Sequence, residues 1–288
     1  MTEIIQPHSA FFVLAVATSY ALVGICTGLA LEAGSNVLTV VAVRTSGTVL
    51  LLLAYFRAAG VSLAMPARER GLAIRIGILL CLGTYLINAA FVKIQVPLAV
   101  LILYLWPAIT TGISWALGKE RFRWRILFGL VFAFTGVALS LNVEFNSAQW
   151  TGVALAIGSS LAWSAVFLLT EHFFQGRDSR PATFTMLVTA AVIFALLCAV
   201  SGEVVMPSSA SGWAGLSTMP FFYAFALIGL FLAISSIGAS KSGFYMNFEP
   251  IASVLLAAPI LGQRLAPIQL AGGTLVVAAL FLFRPLRR

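Results

Sequence analysis

The chain has 288 residues, of which 61% are hydrophobic and only 9% charged, with a mean hydropathy of +1.04. That balance excludes a water-soluble domain, where about half the residues are apolar and about a quarter charged. The net charge of +8 implies no nucleic-acid partner, because its placement between apolar runs accounts for it.

A hydrocarbon core about 30 Å thick takes about 20 apolar helical residues per crossing. Ten runs meet that length, near 10–31, 37–56, 72–92, 97–117, 124–143, 150–171, 182–201, 217–238, 244–262 and 267–284. The expected fold is therefore an all-α integral membrane protein of ten transmembrane helices. The residues before the first run, MTEIIQPHS, carry Glu3 and no Lys or Arg, so that run is expected to remain as a helix and not to be a cleaved signal.

Counting from a cytoplasmic N-terminus, one side of the membrane receives Arg57, Arg68, Arg70, Arg75, Lys119, Arg121, Arg123, Arg125, Arg177, Arg180, Lys241, Arg284, Arg287 and Arg288. The other receives Lys93 and Arg264. This positive-inside asymmetry predicts that both termini are cytoplasmic. Cys26, Cys81 and Cys198 fall inside the runs and are odd in number. They give no disulfide framework or metal site and read as packing residues.

The second half echoes the first. LAVATSYALVG (Leu14–Gly24) and LAIGSSLAWSA (Leu155–Ala165) align, and Pro107, Gly118 and Gly129 are matched by Pro250, Gly262 and Gly273 at nearly the same offset. Each copy, 1–145 and 146–288, contains five runs. An odd number makes the copies face opposite ways, as in transporters built from inverted repeats with a site near mid-membrane. Gly24 and Gly28 form a GxxxG, and Gly152, Ala156, Ser160 and Ser164 form a small-residue ridge spaced by four. Both patterns are expected at close helix crossings.

Two five-run halves, the VVAVRTSG of the second run, and a mid-run proline ahead of a Gly-Lys-Glu or Gly-Gln-Arg turn resemble the drug/metabolite transporter superfamily with its paired EamA repeats. The YLWP of the fourth run is most similar to the YddG-type exporters of aromatic amino acids. The resemblance implies a basket-like ten-helix bundle with a central cavity in the bacterial inner membrane. It also implies alternating access and export from the cytoplasm, without a cofactor and functional as a monomer. Glu249 precedes Pro250 as in that superfamily's second repeat, whereas Trp106 occupies the corresponding place here in the first.

Trp115, Trp124, Trp150 and Trp213 lie near run ends, where indoles anchor at the headgroups. Trp106 and Trp163 lie mid-run, where an indole N–H needs a partner or a wet cavity. Ser159 and Ser160 share a helical face with Trp163, and Tyr85 shares one with Asn88. Tyr245, Glu249 and Ser253 recur every four residues, with Asn247 nearby. A charge at mid-helix costs about 2.5–3.5 kcal/mol, which singles out Arg44 and Glu249. Arg44 either holds a substrate carboxylate or pairs with Glu249 or free carbonyls. Glu249 is a proton-coupling carboxylate, an ammonium ligand or a capped structural acid. Pro107 and Pro250 remove an N–H at matched places, freeing the carbonyls of Leu103 and Met246 and bending both runs. Face periodicity sets Tyr104 and Trp106 about 200° apart, which on a regular helix makes Trp106 the cavity residue and Tyr104 the packing one, unless the Pro107 kink turns both inward.

Enzyme chemistry finds little here. Asp178 is the one aspartate and lies between runs, His8 and His172 lie at run ends, and GASKSG (Gly238–Gly243) lacks phosphate-loop spacing. The expectation is an exporter of aromatic and other apolar amino acids bound among Trp106, Trp163, Tyr85, Tyr104, Asn88, Ser159, Tyr245, Asn247, Glu249 and Arg44. The alternatives are a proton-coupled exporter of lipophilic cations working through Glu249 and, further off, a receptor or scaffold.

Overall fold

The structure, a computed structural model, describes residues 10–94, 96–141, 150–261 and 266–282. Arg264, the Gly262 turn, and Arg284, Arg287 and Arg288 lie outside the described residues, as do Glu3 and His8. The described residues are helical and contain no strand. In chain order they form α1 (Ala10–Glu32), α2 (Val37–Ala58), α3 (Ala67–Phe91), α4 (Val96–Leu103), α5 (Trp106–Ala116), α6 (Trp124–Ser140), α7 (Trp150–Phe174), α8 (Arg180–Ser201), α9 (Ala210–Ile237), α10 (Ala239–Met246), α11 (Phe248–Leu261) and α12 (Pro267–Leu282). Seven stretches are long and apolar enough to cross a membrane, one of them continuing from α4 into α5, and α6 and α12 are shorter apolar helices.

The two runs expected to bend at Pro107 and Pro250 are each two helices. The fourth breaks between Leu103 and Trp106, and the ninth between Met246 and Phe248. The first break follows from Pro107, which has no N–H to offer the Leu103 carbonyl. That carbonyl instead accepts a hydrogen bond from the Ser160 hydroxyl of α7 at 3.0 Å, and the Trp106 carbonyl accepts one from Ser164 at 3.1 Å. The ridge Gly152–Ala156–Ser160–Ser164 is thus the seam on which the broken helix lies. At its far end, a Cβ on Gly152 would sit 2.7 Å from Ile94.

The eighth run starts seven residues earlier than its hydropathy indicates. Ser209 caps α9 by accepting the Gly212 N–H at 3.2 Å, and Gly212 and Gly215 press this first turn against Ala33, Leu29 and the Cys26 carbonyl of α1. The close α1–α9 crossing therefore uses the glycines of α9. Gly24 and Gly28 of the GxxxG, contrary to expectation, meet nothing within 4 Å, because α1 turns its Val16, Ser19, Val23 and Cys26 face inward instead.

Helices of the two halves interleave. α1 packs on α9 and α11, and α7 on α3 and on α4 and α5; α2 packs on α8 and α9, and α3 on α8; α6 packs on α12 and α5 on α10. At one end the segment before α9 is stitched to the α1–α2 turn. Ser208 donates to the Ala33 carbonyl, Asn36 donates to the Glu203 carbonyl at 2.8 Å, and the Val205 N–H donates to Thr39 at 3.0 Å. The other end, which carries Arg57, Lys119 and Arg177, is tied by the Arg177–Glu69 ion pair at 2.6 Å and by the Gly176 N–H on the Ser235 carbonyl.

The tightest backbone approach among these crossings joins α6 to α12. A Cβ on Gly272 would lie 2.5 Å from the Gly136 carbonyl oxygen and from the Ser140 nitrogen. Gly272→Ala is therefore expected to cost about 1–3 kcal/mol and to lower the melting temperature in detergent by several degrees. Gly24→Ala, facing open space, is expected to leave it unchanged. Equal melting temperatures for the two variants would contradict the crossing.

Candidate functional site

Three contacts build a cluster at the middle of the bundle. The Ser19 hydroxyl of α1 donates to the Phe222 carbonyl of α9 at 3.0 Å. This sets Tyr20 beside Tyr223, their rings edge to face at 6.0 Å. Gly47 of α2 lies against the ring of Pro220, where a Cβ would meet it at 2.8 Å, and Thr48 donates to the Pro220 carbonyl at 3.1 Å. That crossing places Arg44, one turn before Gly47, with its guanidinium carbon 4.5 Å from the centre of the Tyr223 ring. The broken helix supplies the third contact: Tyr104, at the α4–α5 break, is a side-chain hydrogen-bond partner of Glu249 in the first turn of α11.

Tyr20 lies within electrostatic reach of both Arg44 and Glu249. Arg44 makes no ion pair among the described residues, and its buried Nε has no hydrogen-bond partner. The Tyr20 hydroxyl is likewise buried and unpartnered. A cation stacked on an aromatic face recovers about 0.5–2 kcal/mol, less than the cost of placing it inside the bundle. The cluster thus holds an uncompensated cation, a free phenol and an acid with a phenol partner. It offers separate places for a carboxylate and an ammonium.

Of the ten residues expected at the site, the structure brings together Arg44, Tyr104 and Glu249. Trp106 and Trp163 are next to it in an aromatic stack, Trp106 on Phe167 at 4.4 Å, Trp163 on Phe167 at 5.6 Å, and Phe167 on Phe231 at 6.3 Å. Trp106 is buried and fills the space left by Gly243, where a Cβ would meet its ring at 2.7 Å. Tyr104 and Trp106 are both buried; Tyr104 meets Glu249, Trp106 meets Phe167 and Gly243, and Leu105 between them keeps right-handed helical angles. Ser159 donates to the Gly83 carbonyl at 2.8 Å and is fully buried in the α3–α7 contact. The Asn88 amide donates back to the Thr84 carbonyl at 2.7 Å. Asn247 is buried and donates to the Gly243 and Phe244 carbonyls at the α10–α11 break. Tyr245 is buried against Phe244. Tyr85 is 62% exposed, in line with the exposed Ile74, Ile78 and Leu82 on the outer face of α3, and does not reach the cluster. A groove of about 610 Å³, lined by Phe11, Leu14, Ser19, Phe222, Phe225 and Phe248 among others, borders the Ser19–Phe222 contact, is mostly apolar and is lined by none of the charged groups.

Tyr20 and Tyr223 were not among the candidates. The one signal in the sequence was their position midway along apolar runs, where a phenol, like an indole, needs a partner.

Trp106→Ala is expected to remove buried packing and cost about 3–5 kcal/mol of stability. Tyr104→Phe deletes one hydroxyl and should cost about 1 kcal/mol, while freeing Glu249. Thermal unfolding in detergent checks the order, and a larger loss for Tyr104→Phe would contradict these placements.

Comparison with known proteins gives the family context. The profile of the EamA-like transporter family matches twice, over residues 8–142 and 150–284. Relatives include a Bacillus subtilis (strain 168) protein described as "Uncharacterized transporter YyaM", 24% identical over 210 residues and 68% of each chain. A Salmonella typhimurium (strain LT2) protein described as "Probable amino-acid metabolite efflux pump" is 22% identical over 235 residues, 76% of this chain and 78% of its own. A solved crystal structure superposes with a TM-score of 0.76 at 19% identity, over 95% of both chains, and so shares the fold.

Proposed function

The chain belongs to the EamA-like transporter family, and from that premise we propose that it is a secondary exporter of small α-amino acids with aromatic or other apolar side chains. Its architecture in this reading is ten crossings, with α4–α5 and α10–α11 each forming one, in two inverted repeats, 1–145 and 146–288. Three observations support the inversion. The family profile matches each half once. The fourth and ninth crossings break at corresponding prolines. The packing also maps onto itself when the halves are exchanged: α1 on α9 becomes α7 on α3, α2 on α9 becomes α8 on α3, and α6 on α12 is its own image. The basic end faces the cytoplasm by the positive-inside rule, in the inner membrane of a bacterium, the source of both named relatives.

The observation that carries the substrate class is the separation of Arg44 from Glu249. Two opposite charges inside one bundle would lower their cost most by pairing. Here Arg44 lies over Tyr223 instead, and Tyr104 occupies Glu249. A zwitterionic amino acid satisfies both: its carboxylate meets Arg44 and the Tyr20 hydroxyl, its ammonium meets Glu249, and its side chain lies against the Trp106–Phe167–Trp163 stack. The name of the Salmonella relative is consistent with this class. The rival reading, a proton-coupled exporter of lipophilic cations, draws on Glu249 alone and leaves Arg44 without a role.

Counterflow of labelled phenylalanine in proteoliposomes tests the proposal. A hydrogen bond to a charged group is worth about 1.5–3 kcal/mol, so Arg44→Gln is expected to reduce phenylalanine counterflow about tenfold or more. Phenethylamine, which lacks the carboxylate, should fail to compete in the unaltered protein. Uptake of a tetraphenylphosphonium-type cation without phenylalanine uptake would overturn the amino-acid reading in favour of its rival.

A further inference from the structure

The basic end of the bundle contains a polar seam that the central cluster does not use. α5 and α10, the halves of the two broken runs that point to that end, pack on each other through Trp106, Pro107 and Gly243. Thr110, Thr111 and Ser114 of α5 and Ser240 of α10, one turn before Gly243, are all buried, at most 5% exposed, and none of their hydroxyl oxygens has a hydrogen-bond partner. Buried polar groups are nearly always paired, and unpaired ones are rare enough to need a cause. Alanine or valine at these four positions would close the same contact without orphaned hydroxyls. A permanent core interface has no use for this arrangement, whereas a contact that opens to water does, because its hydroxyls are then solvated.

A single carboxylate spans the seam from outside. Glu171, in the last turn of α7, is 9% exposed. Its Oε1 accepts the Ala239 N–H, the first of α10, at 3.2 Å, and its Oε2 lies 3.7 Å from the Lys119 ammonium just beyond α5. The α10 start has no other side-chain cap. The approach is possible only because residue 238 is glycine: its φ is +91° and a Cβ there would stand 2.6 Å from Glu171 Oε1. Gly238 is also the entire connection between α9 and α10, so α10 has a one-residue hinge at this end and the Asn247 break at the other.

We infer that Glu171 is a clasp that holds the α5–α10 seam shut, and that the seam, once released, is the polar lane through which substrate reaches the central cluster from the basic end. This rests on the transport reading above for the identity of what passes, but not for the clasp itself. Releasing Ala239 and Lys119 frees α10 to swing about Gly238, and water replaces the missing partners of Thr110, Ser114 and Ser240. The carboxylate thus favours the state closed at this end, and its removal shifts the population toward the open one.

The experiment places one cysteine at Ser240, in a chain whose Cys26, Cys81 and Cys198 are replaced by alanine, and follows its reaction with a membrane-impermeant charged maleimide in vesicles of either orientation. Glu171→Ala is expected to raise the labelling rate about tenfold, the shift that one charge-assisted hydrogen bond of ordinary strength produces, and only from the basic end. Lys119→Ala, a half-exposed side chain whose loss leaves the fold in place, is expected to raise it about threefold. Glu171→Gln keeps an acceptor for Ala239 and should fall between the two. Unchanged labelling in both Glu171→Ala and Lys119→Ala would overturn the clasp, as would a rise of equal size from both sides of the membrane. Labelling needs no substrate, so a shift in accessibility together with absent phenylalanine counterflow would sustain the clasp and sink the amino-acid reading. Normal counterflow with unchanged labelling would do the reverse.

Discussion

A helix that breaks inside a bilayer must find protein partners for the backbone groups it releases, because the hydrocarbon supplies none. That constraint organises this molecule. Pro107 opens the α4–α5 run at its midpoint, and the break survives because Ser160 and Ser164 of α7 reach across to the Leu103 and Trp106 carbonyls. The small-residue ridge on α7 serves two needs at once: Gly152 and Ala156 allow the helices to approach, and the serines satisfy what the proline freed. Tyr104, whose N–H still makes the helical bond to the Val100 carbonyl just ahead of the break, is a side-chain hydrogen-bond partner of Glu249. The polar site is thus a consequence of how the backbone is satisfied.

The same accounting applies to charge. Arg44 inside the bundle is expensive even over the face of Tyr223, and the crossing of Gly47 on Pro220 keeps it there instead of letting it relax toward Glu249. Rigid placement of two unlike charges apart from each other makes the empty site costly and the occupied one less so. For a transporter this difference matters more than affinity, since a substrate can shift a conformational equilibrium only by what it gains in one state over another.

Much of this was legible in the sequence, for physical reasons that also mark where legibility stops. Apolar length and the placement of Lys and Arg are one-dimensional signals, so the runs emerged with boundaries mostly within a few residues. The α9 start did not, because its first turn is held by the Ser209 cap and by glycines pressed on α1 rather than by hydropathy. Mid-run charges and matched prolines exposed Arg44, Glu249 and both breaks. Periodicity set Tyr104 and Trp106 on different faces but could not name what each meets, because Glu249 and Phe167 come from distant segments. Gly24 and Gly28 read as a crossing because small residues at that spacing permit one, but permission is not contact, and α1 presents another face. Glu171 was passed over since an acid near a run end looks like an ordinary headgroup neighbour; only the fold shows that Gly238 and Lys119 close around it.

The two breaks are not equivalent, and their difference bears on how the halves communicate. YLWP and NFEP occupy corresponding positions, so Trp106 matches Glu249 and Tyr104 matches Asn247. In the first half the residue before the proline is spent on packing, its indole set into the gap at Gly243 of the other half. In the second half it is the acid. Asn247 turns back to its own helix, and Tyr104 crosses to hold Glu249. Each break is therefore completed by the opposite half: α10 receives Trp106, and Glu249 receives Tyr104. A rigid displacement of one half against the other cannot leave both contacts intact.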